Sequence, residues 1–467
     1  MLKRLWKDFE YKSHQTTGIN WMLAQENDED TFRGGFLCDE MGLGKTMEVL
    51  GVVKNSLEAE TLVLCPLSVV MQWLEVAQKS KFNVYCLSKD KTKWECTRTP
   101  NATRKSVYVT NYDAVKSRHY VVSDRIWNRI VFDEAHRLCN ERSSLHARCL
   151  QLEGQIKWVV TATPIVNRLK DAMSLLAILG MNEDLLPDSR ETLKPIVRAK
   201  SLCRTVEELR ADLPELPREE RTYVHDLDFH TEEEQTFYRS VHGPLVAKLN
   251  ILMEEGSEQW QILKLLLVLR QLSVHPQVYI NARKRDSRHY TRDDWTQATT
   301  KFSTLRTLIE TQSDSEHRWI LFCHFHDEMD ILARFLRKLP RMRYVHKYSG
   351  KLSQDQRNEI VQETKAPFEG DKTTDCLLVQ LQSGSVGLNL QHFDRVVFLS
   401  PWWTAALMDQ AVGRAVRIGQ EKRVEVHHLR LKEEAVMNID RFMIEKVENK
   451  RTLCEWFLSK SSRGNLK

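Results

Sequence analysis

The chain has 467 residues, 42% of them hydrophobic and 28% charged, which places it with globular proteins and excludes a disordered or fibrous chain. At this length one ordinary core is excluded, and two or three domains are expected. Lys and Arg exceed Asp and Glu by 69 − 64 = 5, so any nucleic-acid surface has to be a local patch and not a global charge.

The N-terminus, MLKRLWKDFEYKSHQ, lacks the apolar core of a signal peptide. The longest apolar run, Ile262–Leu269, is too short and too charged to span a bilayer. The ten cysteines form no C-x-x-C pair, which argues against a zinc ribbon and against a disulfide framework. A reducing intracellular compartment is the expectation. Cys323-His324-Phe325-His326 has the most metal-like grouping. Strand alternation there would put Cys323 and Phe325 on one face and the two histidines on the other, which disfavours a zinc site.

Two regions alternate short β-branched runs with polar-faced helical segments, the grammar of parallel sheets. The first holds Gly35–Cys38, Thr61–Cys65, Val107–Thr110, Ile130–Phe132 and Trp158–Thr161. The second holds Trp319–Cys323, Cys376–Val379, Val396–Leu399 and Val424–His427. Between them, over about 168–300, the pattern is helical, broken by the prolines of DLPELPREERTYVHDL (212–227). Residues 282–295 read as an exposed charged loop. After about 432 the chain reads as a helix and then a polar tail.

Within the first region, CDEMGLGKTMEVL (38–50) follows a strand and opens a helix. A turn of this kind exposes successive backbone N–H groups, and the helix dipole adds positive potential, so the site suits phosphate. Lys45 would reach the β- and γ-phosphates, and the Thr46 hydroxyl would ligate Mg²⁺. Asp39, Gly42, Leu43 and Gly44 complete the cradle, with Asp39 where the pattern's first glycine usually stands. Without context the string is also a plain helix N-terminus with turn residues.

Nearly ninety residues on, RIVFDEAHRL (129–138) ends a hydrophobic strand in two carboxylates. Asp133 would hold Mg²⁺ through water, and Glu134 would act as general base on the attacking water. A polar strand end capping a helix is the bland alternative. Two rare strings in this order point to a nucleotide hydrolase.

DEMGLGKT and DEAHR, followed by TATP (161–164), resemble helicase superfamily two, and within it the Swi/Snf-type DNA-dependent ATPases of chromatin remodelling and repair. The resemblance runs from about residue 10 to 430. It implies an α/β fold of two RecA-like lobes with parallel sheets, helical insertions between them and a C-terminal helical segment. The corresponding division is 1–190 for the ATP-binding lobe, 191–300 for the helical insertion and linker, 301–430 for the second lobe, and 431–467 for the C-terminal helix and tail. So little sequence lies outside the motor that the chain reads as a motor-only member, similar to the global-transactivator kind found in large DNA viruses.

Further motifs carry the resemblance. SHQTTGINWML (13–23) is similar to the family's entry motif, in which Gln15 would read the adenine edge. TLVLCPLSVVMQW (61–73) and VYVTNYDAV (107–115) resemble segments that touch the DNA backbone, so Ser68, Gln72, Thr110 and Tyr112 would donate to phosphate oxygens. Arg270 and His275, in LVLRQLSVHP, read as architectural. LVQLQSGSVGLNLQHFDRVVFLSPWW (378–403) is similar to the family's fifth motif, with Gly384, Gly387 and Asn389 on a tight turn facing nucleotide and DNA. Trp402 reads either as a wedge near DNA or as a packed side chain.

DQAVGRAVRIGQ (409–420) puts Arg414 and Arg417 on one helix face, which in the family points at the phosphates bound by the other lobe. An arginine finger is worth roughly 10³–10⁵ in rate, or about 4–7 kcal/mol of barrier. A surface ion pair, the alternative role, is worth only about 0–1 kcal/mol. Val416 stands where the family usually has histidine, Gly413 where it has an acid, and PWWTAAL lacks the usual asparagine-proline. The resemblance implies ATP and Mg²⁺ as cofactors, and double-stranded DNA as partner, with bound protein such as nucleosomes. It also implies the nucleus, or the host nucleus for a viral protein. A strand-separating helicase, an RNA-directed ATPase and a non-catalytic DNA-binding regulator stay open.

Overall fold

The structure, a computed structural model, describes residues 2–28, 32–88, 90, 92–162, 169–181, 189–210, 221–255, 259–368, 370–371, 373–381, 390–402, 405–416, 420, 422–432 and 438–445. The chain divides into two compact units, the first running to Leu216 and the second from Pro217 to Asn449. Both are α/β and both are built on a mainly parallel sheet.

In the first unit the strands are β1 (Gly34–Leu37), β2 (Glu60–Cys65), β3 (Asn83–Leu87), β4 (Trp94–Cys96), β5 (Ser106–Asn111), β6 (Trp127–Asp133), β7 (Gly154–Val160) and β8 (Ser201–Leu202). Their order across the sheet is β4-β3-β5-β2-β6-β7-β1-β8, and β3 with β4 is the antiparallel pair. β1, β2 and β6 are almost continuously buried, as strands covered on both faces must be. Phe36, Leu62, Leu64, Ile130 and Phe132 share one core with Tyr108 and Tyr112. Parallel pairing brings the C-terminal ends of β1, β2, β5 and β6 to one edge, where the chemically equipped loops leave the sheet. Helices α1 (Ser13–Glu26), α2 (Lys45–Asn55) and α3 (Leu67–Lys79) belong to this unit. α3 buries Val69, Trp73, Leu74 and Ala77, a stripe at helical spacing.

The second unit holds β9 (Arg221–Leu227), β10 (His317–Cys323), β11 (Met342–Tyr348), β12 (Thr374–Gln380), β13 (Arg395–Phe398) and β14 (Glu425–Leu431). The order is β11-β12-β10-β13-β14-β9, with every pair parallel. Along β10, Trp319, Leu321 and Cys323 enter the core on one face, while Ile320 and Phe322 enter the core on the other. That alternation is the period of two expected of a strand.

The proline-broken stretch 212–227 reads from sequence as an interruption between helices. In the structure its last seven residues form β9, paired with β14 from Arg221–Glu425 to Leu227–Leu431. RTYVHDL alternates in and out along an edge, so one face suffices to hold it. Helices Glu232–Glu254, Gln259–Val274 and Pro276–Asp286 follow it. The last of these takes in part of the stretch that reads as a charged loop. Lys301 joins this layer to the chain's later part through a buried ion pair with Asp440 at 2.8 Å and a bond to Ser273 at 3.1 Å.

Candidate active site

The loop after β1 enters α2 through two glycines in the left-handed region, Gly42 at φ +88° and Gly44 at φ +87°. At Gly44 a Cβ would stand 2.5 Å from the Gln15 amide nitrogen, so a side chain there would have to displace Gln15 and adopt a strained backbone. Gly44 caps α2, and the first-turn N–H groups of that helix face the loop. Lys45 opens the helix and folds back, donating to the carbonyls of Asp39 (2.7 Å) and Glu40 (3.3 Å). The loop therefore presents N–H groups and an ammonium group together, an arrangement suited to phosphate oxygens. Thr46 follows Lys45 in the same turn.

α1 lies against this loop. The Gln15 side chain donates to the Leu43 carbonyl at 3.3 Å and accepts from Lys12 N at 3.1 Å. Gln15 is buried and its amide is engaged by these two protein groups, which an adenine edge would have to displace. His14 Nε2 also meets the Leu43 carbonyl, at 2.9 Å. A carbonyl only accepts, so Nε2 carries the proton. Burial lowers the His14 pKa and keeps the ring neutral.

Asp39 departs from its expected role too. Its carboxylate is wholly buried and binds Arg204, whose Nε lies 3.0 and 3.1 Å from the two oxygens. Arg204 also grips Glu48 at 2.8 and 2.9 Å. Burial first, and then Asp39, raise the Glu48 pKa. Burial opposes charge on Arg204, but the two carboxylates outweigh it and hold the guanidinium charged. Of Asp39, it is the backbone carbonyl that faces Lys45.

The second carboxylate pair stands at the end of β6. Asp133 Oδ2 accepts from the Trp73 indole at 2.8 Å, and Oδ1 accepts from Glu134 N at 3.0 Å. Burial, and then the neighbouring Glu134, push the Asp133 carboxyl up to about 6, while the Trp73 bond and the Lys45 charge pull it down. The Lys45 ammonium, almost ninety residues away in sequence, is thus near enough to favour the charged form of Asp133. Glu134 sits at φ +51°, a left-handed conformation that costs a non-glycine residue strain. Its Oε2 is 3.3 Å from His136 Nδ1. The carboxylate is held at the mouth of the site on a turn with few alternatives.

Two of the expected DNA-facing residues point inward. Tyr112 is buried, and its hydroxyl donates to the Asp133 carbonyl at 2.7 Å, so it braces the carboxylate loop and has no surface to offer a phosphate. Thr110 is buried within β5, where its carbonyl accepts from Cys65. Ser68 and Gln72 are exposed on α3, beside Leu67 and Met71 at 66% and 55% exposure.

In the second unit Trp402 is packed. Its ring stacks on His324 with centroids 4.8 Å apart and planes 11° apart, and the Arg270 guanidinium lies 4.5 Å above it. That sandwich replaces the wedge reading. β10 ends at Cys323, so the expected alternation through His326 stops there: Cys323 is core, and His326 starts the helix His326–Leu336. Glu328 accepts from His324 N (2.7 Å) and Phe325 N (3.1 Å). Arg414 is buried in the turn after helix Ala405–Val412, and its carbonyl accepts from Leu390 N at 3.1 Å. Gly384, Gly387, Asn389 and Arg417 lie outside the described residues.

Arg204, Trp73 and His14 were not singled out by sequence reasoning. Trp73 closes a quoted motif, and its place on the buried stripe of α3 was the available signal. Arg204 offered none, being one arginine among many.

Among the described residues no group of three or more His, Cys, Asp and Glu could hold a metal ion. The donors present suit Mg²⁺ all the same, because that ion is usually held by one or two carboxylates together with substrate phosphates. Burial and Glu134 raise the Asp133 pKa, so a cation beside it would favour its ionised form.

A glycine turn with a lysine at a helix start, on the same sheet edge as a half-buried strand-end carboxylate, defines a nucleoside triphosphate hydrolase. Residues 14–278 match the SNF2-related domain and residues 300–419 the helicase conserved C-terminal domain. The chain belongs to the SNF2-related family and is a helicase-like ATPase motor. It is 26% identical to the probable global transactivator of Orgyia pseudotsugata multicapsid polyhedrosis virus, over 94% of this chain and 89% of that protein. It is 27% identical to the probable ATP-dependent DNA helicase CHR23 of Arabidopsis thaliana, over 94% of this chain and 42% of that one, so it spans less than half of that relative. Among solved structures, the Sulfolobus solfataricus SWI2/SNF2 ATPase core in complex with dsDNA aligns over 98% of this chain and 95% of that one, at 23% identity and a TM-score of 0.42.

Proposed function

We propose that the protein hydrolyses ATP to translocate along double-stranded DNA, remodelling protein–DNA complexes without separating the strands. The observation that carries the ATP site is the glycine turn that seats Lys45 at the start of α2, its ammonium turned back onto the loop carbonyls of Asp39 and Glu40. The loop Asp39–Thr46 binds the phosphates through its N–H groups, and Lys45 leaves its two carbonyl partners to neutralise them. Thr46 and Asp133 would hold Mg²⁺, which neutralises charge on the phosphate oxygens. Glu134 takes a proton from the attacking water, and its fixed backbone keeps the carboxylate on one side of the site. Arg414 and Arg417 are the candidates to supply positive charge to the transition state, a role for which the buried Arg414 would have to leave its present place.

DNA as the track is supported by the family and by the names of the relatives, a DNA helicase and a viral transactivator among them. Ser68 and Gln72 are the exposed candidates for phosphate contact; Gly384 and Asn389 are further candidates. Nucleosomes as cargo, and the nucleus as the place of action, follow from the same reading. Translocation predicts ATP-dependent displacement of a third strand bound to a duplex, with the duplex strands still paired. Release of a labelled strand from plain duplex would assign a strand-separating helicase instead. No displacement of either kind by a protein that hydrolyses ATP would overturn the translocase reading.

A further inference from the structure

We propose that Arg204 is a positioning residue of the ATP site, clamping both ends of the phosphate loop so that Lys45 is held where a nucleotide would meet it. The proposal rests on the ATPase reading of that loop.

Arg204 lies 165 residues from Asp39 in sequence, yet its backbone N (3.0 Å) and Nε (3.0 and 3.1 Å) both donate to the Asp39 carboxylate, and Nη2 reaches it too. Nη2 also donates to both oxygens of Glu48, at 2.8 and 2.9 Å. Asp39 begins the loop, and Glu48 stands in the first turn of the helix that ends it. Nη1 donates to the His14 carbonyl, and the His14 ring in turn holds Leu43 at the loop's centre. One guanidinium and its neighbour therefore restrain the loop at its start, middle and end.

The backbone around Arg204 splints the same stretch. Phe36 N donates to Lys200 O (2.7 Å), Cys38 N to Leu202 O (2.7 Å) and Glu40 N to Arg204 O (2.9 Å). Glu40 returns the contact by accepting from Val206 N at 2.6 Å. Lys45 is bonded to the carbonyl of Asp39, so any movement of Asp39 moves the lysine's own anchor. Asp39, Glu48 and Arg204 are all buried, and in that setting charge-assisted bonds are short and directional. A lysine at 204 would keep the charge but could not span two carboxylates, because its ammonium lacks the planar fork.

The test is steady-state ATP hydrolysis and binding of a fluorescent ADP analogue by wild type, Arg204→Lys and Glu48→Gln, each with its thermal unfolding midpoint. A positioning role predicts that Arg204→Lys raises KM and weakens analogue binding roughly tenfold, and that Glu48→Gln does so by a smaller factor, with folded protein in both cases. If both variants bind and turn over with unchanged KM, losing only thermal stability, the clamp is merely structural and the proposal fails. Should Arg204→Lys not fold, Glu48→Gln decides alone: raised KM supports the clamp and unchanged KM overturns it. A wild type that neither binds the analogue nor hydrolyses ATP would strike the ATPase reading itself, which keeps the two failures apart.

Discussion

At Gly44 one missing carbon decides whether the loop can close. A Cβ there would meet the Gln15 amide at 2.5 Å with the backbone at φ +87°, where an L residue pays about 1–2 kcal/mol before any clash. Gly44→Ala is therefore expected to lower stability by at least about that amount and to reduce ATP turnover, as read by chemical denaturation and steady-state kinetics. An alanine variant as stable and active as wild type would show that the turn tolerates a side chain. A second residue-scale expectation concerns Glu328. Burial raises its carboxyl to about 7 from an ordinary 4.5, with Arg270 and Lys301 opposing the shift. The folded chain thus holds this proton more tightly than the unfolded chain, so its contribution to stability falls as pH rises from 4.5 to 7. At about 1.4 kcal/mol per unit the fall is about 3 kcal/mol. Glu328→Gln keeps an acceptor for the two N–H groups but does not titrate. The difference in unfolding free energy between wild type and variant should therefore change across that window, and a constant difference would contradict it. Comparing the two proteins cancels the buried histidines, such as His275 at about 3, which titrate in the opposite sense. Lys45, Thr46, Asp133 and Glu134 stand out in the sequence because the chemistry proposed for them needs rare residue types side by side. Arg204 was illegible because its meaning lies in partners at 39 and 48 that no local pattern connects to it. Tyr112 and Thr110 misled because a strand end has two sides, and spacing alone does not say which one faces water.

At the scale of elements, parallel strands announced themselves through apolar runs, while β9 did not. The prolines before it marked a break, but its pairing depends on β14, two hundred residues away, and on an edge where half a pattern is enough. The helix Pro276–Asp286 illustrates a cap that sequence only half reveals. Proline at its first position is a plain start signal, but the cap is a histidine: His275 Nδ1 accepts from Gln277 N at 3.0 Å. That bond requires the neutral ring, and burial secures it by pushing the pKa down to about 3. His275→Ala and His275→Asn both lose the ring, which lies 4.7 Å from Phe302, so the difference between them isolates the cap. Asparagine should be the more stable by about 1 kcal/mol in urea unfolding. Equal losses would mean that packing, and not capping, is what His275 provides.

For the molecule as a whole, two units on parallel sheets and matches to both domains of the family define a motor. Its net charge of +5 is small, so the duplex binding proposed here would have to come from local contacts to phosphate, with little sequence preference. The apparent affinity for duplex DNA should accordingly fall steeply and log-linearly with salt, as a titration from about 50 to 200 mM would show. The presence of two parallel-sheet lobes was legible from the repeated strand grammar. The helical layer's share in the second unit was not, because β9 and Lys301 tie it there through long-range partners. The most direct test of the motor is ATP turnover by the folded wild-type protein with and without duplex DNA, with Lys45→Ala as control. The account predicts turnover that duplex DNA stimulates and that the alanine variant lacks. Turnover indifferent to DNA, or equal in wild type and variant, would contradict it.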